Sequence, residues 1–232
     1  MTWIGPLLAV LLAGAVVYWL LILSEGIYLG KKVVIALYDW GASSYDRVKQ
    51  VLPLDDAFHL ARPLLEALRG VDSPLVLDVA TGTVRVPLAL LRQWDFQGRI
   101  VGLDLSQRML TIARRKTYAQ RHRVGLLRGD AMTLPFPSNI FHAVSCVESL
   151  EFLPKPRDTL AEMIRVLRPG GQLLVTNRVG IDALFLPGRA YRPEMLEKTL
   201  DALGLTHVRT RRWQVHYDLI EADKPAHGTS LT

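Results

Sequence analysis

The chain carries a single cysteine, Cys146, in 232 residues. An intrachain disulfide is therefore excluded, the fold has to rest on its apolar core, and a reducing compartment is the simpler reading. Charge is missing from one long stretch, because no charged side chain occurs between Trp3 and Leu23, and no Lys or Arg precedes that stretch. Also absent are an internal repeat, a G-x-G-x-x-G phosphate loop and any recognised nucleic-acid motif; no metal site is expected. What is present is an apolar excess, with half of all residues hydrophobic, and a formal net charge of +6. The excess is concentrated at the N-terminus, so composition alone implies two physical environments. The basic balance suits an anionic membrane surface or a nucleic acid without choosing between them.

The uncharged run reads WIGPLLAVLLAGAVVYWLLIL. As a helix at about 1.5 Å per residue it spans roughly 30 Å, the thickness of a bilayer's hydrocarbon core. Trp3, Tyr18 and Trp19 lie towards its ends, where aromatic rings favour the interface. Lys31 and Lys32 follow it, which places the C-terminal side in the cytoplasm. A cleaved signal peptide would want a basic start and a shorter run, and a buried core helix would not be apolar on every face. Residues 1–24 thus read as a transmembrane anchor and 25–54 as a juxtamembrane linker. Within the linker, Val33–Leu37 reads as an interfacial continuation along the membrane, and Asp39–Ser44 as a polar turn.

Residues 55–223 read as one domain. Asp55–Arg69 has helical spacing at Leu60, Leu64 and Leu68, interrupted by Pro63. Short apolar runs then alternate with helical segments. The expected strands are Leu75–Ala80, Arg99–Asp104, Val124–Arg128, Phe141–Val147 and Gln172–Arg178, with helices at Val84–Trp94, Ser106–Gln120 and Arg157–Leu167. Ser106 is a good N-cap, and Pro169-Gly170-Gly171 stops the helix before it. Pro193 opens a helix ending near Gly204. His207–Gln214 and His216–Ala222 close the domain as an adjacent strand pair, so at least one of them runs antiparallel. The expectation is an α/β fold with a seven-stranded, mostly parallel sheet, helices on both faces and a C-terminal antiparallel hairpin. The tail 224–232 is expected to be disordered.

Open α/β sheets bind ligands at the carboxyl ends of their strands. The first such end here is Val76-Leu77-Asp78-Val79-Ala80-Thr81-Gly82-Thr83, with small residues that admit a ligand close to the backbone. The second strand ends in Asp104, whose carboxylate can accept hydrogen bonds from ribose hydroxyls. These features fit a nicotinamide-dependent dehydrogenase too, but Arg85 stands where its last glycine would be. Asp78 inside the strand end could meet an ammonium group. Gly129-Asp130-Ala131 follows the third strand, ahead of Leu134-Pro135-Phe136-Pro137.

The blocks VLDVATGT, VGLDLSQRML, LRGDAMTLPFPSNIFHAV and LRPGGQLLV, in that order and spacing, resemble the class I S-adenosylmethionine-dependent methyltransferases, in the small-molecule branch that includes the ubiquinone and menaquinone methyltransferases. The resemblance runs from about Tyr38 to Lys224 and implies a Rossmann-like fold with S-adenosyl-L-methionine as cofactor. Carried across, it implies that Asp78 and the loop Ala80, Thr81, Gly82 and Thr83 hold the methionine end. Asp104 would bind the ribose, with Leu105 and Met109 against the adenine and Asp130 and Ala131 at its edge. Cys146 and Val147 would line the floor near the reacting methyl.

The family pattern D-x-G-x-G-x-G reads here with Ala80, Gly82 and Val84 at its glycine positions. Valine would be strained if its position needs positive φ, and tolerable if it already lies in the helix's first turn. The second is expected, with Thr83 as N-cap. No catalytic group is assigned; Glu148 and Glu151 are candidate bases, against the plain alternative that both are solvated. His142 is expected to be structural. His59 lies in the N-terminal helix, which in this family can cap the pocket; Tyr38 and Tyr45 are expected in core packing, although the family's N-terminal tyrosines sometimes reach the pocket. The basic stretch Arg108–Arg123 reads as a solvated helix face, with anionic headgroups as second choice and nucleic acid disfavoured. The expected function is methyl transfer to a small, lipophilic or membrane-associated acceptor. The competing expectation is a membrane-tethered binding protein on a degenerate methyltransferase fold.

Overall fold

The computed structural model describes residues 3–49 and 52–226. Seven strands form one sheet: β1 Leu75–Val79, β2 Arg99–Asp104, β3 Val124–Arg128, β4 Phe141–Cys146, β5 Leu167–Arg178, β6 Thr206–Gln214 and β7 Tyr217–Asp223. Their spatial order is β3-β2-β1-β4-β5-β7-β6. The β1–β2, β2–β3, β1–β4 and β4–β5 pairs are parallel, while β7 is antiparallel to both β5 and β6. The expected strand count, parallel core and closing hairpin are all present.

Alternation along β1 explains the two-sided core. Successive side chains of a strand face opposite ways. Leu77 and Val79 enter one apolar cluster with Leu160, Met163, Leu196 and Leu200. Val76 enters the other, with Leu64, Val86 and Leu90. Helices Pro156–Val166 and Pro193–Ala202 therefore cover one face, and Arg62–Ala67 and Arg85–Leu91 the other.

Pro63 does not end its helix. A wide turn at Ala57–Ala61 precedes it, in which the Arg62 amide reaches back to the Ala57 carbonyl. Proline lacks an N–H and crowds the preceding turn, and the wider turn accommodates both defects. Pro169-Gly170-Gly171 is more than a stop. It forms the start of β5, where the Gly170 amide donates to the Lys224 carbonyl and the Lys224 amide to the Gly171 carbonyl. Lys224, expected in a disordered tail, is therefore ordered against the start of β5. The Lys224 ammonium donates to Asn139 Oδ1 at 2.8 Å, Ile164 O at 2.7 Å and Leu167 O at 2.6 Å. The remainder of that expected tail, 227–232, lies outside the described residues.

At the N-terminus, Ile4–Leu23 forms a helix with mean hydropathy 2.5 and none of that apolar stretch buried; among the described residues it is the one helix long and apolar enough to cross a membrane. The segment behind it is not a plain linker. The chain reverses at Gly26, whose φ is +75° and whose added Cβ would lie 2.9 Å from Leu37 Cδ1. The positive φ calls for glycine there, and the close packing of Leu37 adds to the preference. A helix Lys31–Gly41 follows, then a short one at Tyr45–Val48. Asp39, expected in a turn, is helical: its carboxylate accepts from the Ser106 hydroxyl and, at 3.3 Å, from the Arg108 amide. Val33–Leu37 does not simply continue along a membrane, because Val34 and Ile35 face a cleft in the domain.

Candidate functional site

The strand order reverses between β1 and β4, and a cleft opens at the carboxyl ends of these strands and β2. Topology puts a ligand site at this place, because loops from adjacent strands there leave in opposite directions. One wall comes from the sheet: Ala80, Gly82, Leu103, Asp104, Leu105, Met109, Asp130, Ala131 and Val147. The other comes from the segment after the apolar helix, through Lys31, Val34, Ile35, Tyr38 and Tyr45, and from Phe152, Leu153 and Pro154. A smaller recess adjoins it around Asp78, Thr81, Thr83, Lys49, Arg85 and Glu148. Every expected cofactor residue but one thus lines the cleft or the recess.

The exception is Cys146. Its side chain is fully buried in the apolar core, with its sulfur 3.0 Å from Ser149 Oγ. Strand alternation is the reason: Val147 faces the cleft, so its neighbour faces inward. Burial pushes the Cys146 thiol up to about 12, so it stays neutral at physiological pH.

Asp104 organises the middle of the cleft. Its Oδ2 accepts the Gly82 amide and its Oδ1 the Ser106 amide, each at 2.8 Å. A carboxylate oxygen has two acceptor sites, so each retains capacity for a ligand hydroxyl. Burial raises the Asp104 pKa, against the pull of these amides. Ser106 caps the next helix as expected, accepting the Met109 amide at 3.1 Å, and so fixes Met109 in the wall. In the recess, Asp78 accepts the Ser145 and Thr81 hydroxyls, both at 2.6 Å. Burial nevertheless lifts it to about 6, with the nearby Asp104 adding to the rise. A cationic ligand group placed there would restore its charge.

The loop departs from expectation at Val84, which has φ 68° and ψ 45° and precedes the helix Arg85–Leu91. It is the strained alternative, and Thr83 is not a cap because its hydroxyl donates to Asp46 at 2.5 Å. A left-handed β-branched residue costs about 1–3 kcal/mol. The Val84 side chain is fully buried, and such burial returns roughly 1.5–3 kcal/mol, enough to offset the strain. In front of Gly82, by contrast, an added Cβ would meet only Tyr45 Cε1 at 3.9 Å, which leaves room for a ligand against the loop backbone.

Glu148 and Glu151 are buried, not solvated. Glu148 is held by Lys49 at 2.7 Å and by Arg85, which also pairs with Asp56 at 2.7 Å. Burial works against the Lys49 ammonium, but Tyr45 and Glu148 more than offset it and raise its pKa. Glu151 accepts the Tyr217 hydroxyl at 2.7 Å and lies 3.6 Å from Arg178; burial raises its pKa. Only Glu148 lines the cleft, and two cations hold it. Neither glutamate is therefore a free base in the cleft. The cleft offers position, apolar walls and fixed carboxylates.

His59 does not line the cleft; its Nε2 lies 3.6 Å from Asp55 and its Nδ1 3.4 Å from Arg211. His142 accepts the Leu75 amide at 3.1 Å, a structural role. Tyr38 and Tyr45 both line the cleft. Tyr38 donates to Glu25 at 2.8 Å, and burial raises its pKa well above the usual phenol value. Lys31 was not among the expected site residues. It donates to Asp130 at 2.6 Å and so bridges the two walls. Burial opposes the charge on Asp130, yet Lys31 and the Met132 amide overcome this and lower its pKa. The spacing of Val34, Ile35 and Tyr38 on one helical face was the signal for this wall.

A family model described as a methyltransferase domain matches residues 77–175. The demethylmenaquinone methyltransferase of Listeria monocytogenes serotype 4a is 37% identical over 131 residues, covering 56% of this chain and 55% of that protein. The demethylmenaquinone methyltransferase of Renibacterium salmoninarum is 35% identical over 173 residues, covering 74% of this chain and 68% of that protein. The chain thus spans little more than half the length of the Listeria relative. Among solved structures, a SAM-dependent methyltransferase from Aquifex aeolicus aligns with a TM-score of 0.59 at 20% identity, over 75% of this chain and 95% of that one. The [4+2]-cyclase SpnF aligns with a TM-score of 0.60 at 24% identity, over 72% and 80%. Both show the fold.

Proposed function

The chain belongs to the class I S-adenosylmethionine-dependent methyltransferases, and on that premise we propose that it transfers a methyl group to a lipophilic quinone of the demethylmenaquinone type. The observation that carries this reading is a cleft with an adjoining recess, whose linings offer three chemically distinct parts. Asp104 would take the ribose, the Asp78 recess the methionine end, and the apolar side chains of Leu105, Met109 and Ala131 the adenine.

The residues fit the cofactor S-adenosyl-L-methionine. Asp104 keeps acceptor capacity for two hydroxyls, and Asp78 is a buried carboxyl short of a cation. Open space before Gly82 admits a ligand against the loop. Lys49 and Arg85, beside the recess, can face the methionine carboxylate from their places around Glu148. The bound cofactor supplies a methyl group already activated on a sulfonium sulfur.

What remains for the chain is alignment and dryness. Val34, Ile35, Phe152 and Leu153 form an apolar wall opposite the strand ends, suited to a flat hydrophobic acceptor. Tyr38 and Tyr45 close that side; burial raises Tyr45 to about 12, so it stays a neutral hydroxyl. An acceptor that loses its proton before attack needs no base from the chain, in keeping with a cleft whose one glutamate is fully paired.

We place the domain on the cytoplasmic side of a membrane that Ile4–Leu23 spans once. The helix's length, its apolar surface and the lysines behind it support this placement. A tethered site gains effective concentration towards an acceptor confined to the same bilayer. The test is transfer of isotope-labelled methyl to demethylmenaquinone in vesicles carrying the full chain. Labelled product lost in Asp104→Ala supports the reading; no product from the intact chain in any quinone-loaded vesicle refutes it.

A second reading, a tethered binding protein on a degenerate fold, is favoured by the left-handed valine at 84. It requires that Val84→Gly create a cofactor affinity that the natural chain lacks.

A further inference from the structure

Beside the end of the apolar helix, the loop Gly180–Gly188 exposes hydrophobic side chains. Ile181 is 72% exposed, Leu184 77% and Phe185 36%. Val215, at the tip of the β6–β7 hairpin, is 74% exposed, and its carbonyl lies 3.6 Å from where a Cβ on Gly180 would stand. The two loops meet at Gly180 and Val215, so this corner of the surface is an apolar patch in composition, and its exposed side chains gain nothing by facing water.

The loop is fastened to the end of the apolar helix. Trp19 Nε1 donates to the Phe185 carbonyl at 3.1 Å, and the Tyr28 hydroxyl donates to the Pro187 carbonyl at 2.8 Å. The two rings stack with centroids 5.0 Å apart. Arg178 links Glu25, at 3.3 Å, to Asp182, at 3.5 Å. Thus the patch is held at the level of Trp19, an aromatic of the kind that marks the membrane–water boundary. Its polar surroundings are paired charges: Arg212 donates to the Val215 carbonyl and lies 3.3 Å from Asp218, Asp182 lies 3.1 Å from His216, and Lys32 is exposed just past the helix. At its other end the loop reaches the cleft, where Arg189 donates to the carbonyls of Leu153, at 3.1 Å, and Pro154, at 3.2 Å.

We propose that the patch of Ile181, Leu184, Phe185 and Val215 is a second membrane contact, which seats in the headgroup boundary of the leaflet that the apolar helix enters. The inference rests on the reading of Ile4–Leu23 as membrane-spanning. Its occupant is lipid because the patch is fastened to that helix at its interfacial end and exposes large apolar side chains there. The contact sets the orientation of the domain. The backbone then runs from Phe185, fastened to Trp19, to Arg189, whose guanidinium holds the Leu153–Pro154 wall, so the mouth of the cleft is held against the leaflet that stores the acceptor.

The test uses the full chain in vesicles of phosphatidylcholine and phosphatidylglycerol. An environment-sensitive fluorophore is attached at Leu184→Cys and, as control, at Trp94→Cys, which is 89% exposed in another part of the chain; Cys146 is buried and does not compete for label. The label at 184 is expected to shift to the blue and to lose about half of its emission with bromine-labelled lipids, while the label at 94 responds only to aqueous iodide. Iodide quenching at 184 equal to that at 94, in chains that float with the vesicles, overturns the proposal. Shielding at 184 that grows with protein-to-lipid ratio and ignores bromolipid also overturns it, in favour of a second copy or another protein. A chain that washes off the vesicles in alkaline carbonate refutes the spanning reading itself, a separate and recognisable failure. In a second measurement, Leu184→Asp should lower methylation of a long-chain quinone in the bilayer about tenfold and leave a water-soluble short-chain quinone unaffected; equal effects on both would overturn the orienting role.

Discussion

Val84 gives the sharpest quantitative test of the loop that lines the Asp78 recess. Val84 and Val86 are almost equally buried, at 0% and 1% exposure, and lie two residues apart. They differ in backbone: Val84 is left-handed with φ 68°, whereas Val86 sits inside the helix Arg85–Leu91. Replacing either with glycine discards about 1.5–3 kcal/mol of buried side chain and adds about 0.5–1 kcal/mol of chain entropy. At position 84 alone, glycine also removes about 1–3 kcal/mol of backbone strain. Val86→Gly should therefore cost about 3 kcal/mol and Val84→Gly about 1. For a domain of this size the difference of about 2 kcal/mol corresponds to roughly 4–8 °C in Tm. Thermal unfolding of the full chain in detergent, followed by circular dichroism without ligand, reads it directly. Equal losses for the two variants would show that the left-handed turn stores no strain. A larger loss at 84 would refute the reasoning altogether.

Other outcomes follow from the charges around the cleft. Lys31→Met frees Asp130 from a half-exposed ion pair, of a kind worth under about 1 kcal/mol. S-adenosylhomocysteine should then bind up to about fivefold tighter by calorimetry, and a weaker complex would give Lys31 a direct ligand contact instead. Asp78, lifted to about 6, takes up a proton in the folded state where the unfolded chain does not. Its contribution therefore lowers stability as pH rises from about 4 to 6, with no further change above that. The ligand's ammonium needs the charged form, so affinity should fall about tenfold per unit as pH drops below 6 and level off above it. A flat profile between pH 5 and 7 would remove Asp78 from that role. Glu148→Gln leaves the mostly buried Lys49 ammonium, 19% exposed, without its carboxylate, which should cost about 2 kcal/mol in the same melts. Glu66→Gln, in an exposed pair with Arg62, should cost under about 1 kcal/mol.

The parts that could be read from sequence share a local cause. Strand and helix periodicity placed β1 to β7 to within a residue or two, apart from the early start of β5, and the Ser106 cap followed from its own side chain. The cleft followed from topology, since Asp78, Asp104 and Asp130 all stand at or just beyond strand ends. What stayed hidden depends on partners distant in sequence. Residues 25–49 close over the cleft because Asp39 meets Ser106, Lys31 meets Asp130 and Glu25 meets Arg178. Glu148 and Glu151 look like loop acids until Lys49, Arg85 and Tyr217 arrive from elsewhere in the chain to neutralise or hydrogen-bond them. At Val84 the loop geometry won over residue preference. The turn closed by the Val84 amide on the Thr81 carbonyl, at 2.8 Å, dictates a conformation that valine alone would avoid.

Calorimetric titration of S-adenosylhomocysteine into the full chain in lipid nanodiscs bears most directly on the cleft. One site per chain with micromolar affinity is expected, abolished by Asp104→Ala while Leu184→Asp still binds. Absence of binding heat from the intact chain, across pH 6 to 8, would contradict the assignment of the Asp104 cleft as the cofactor site.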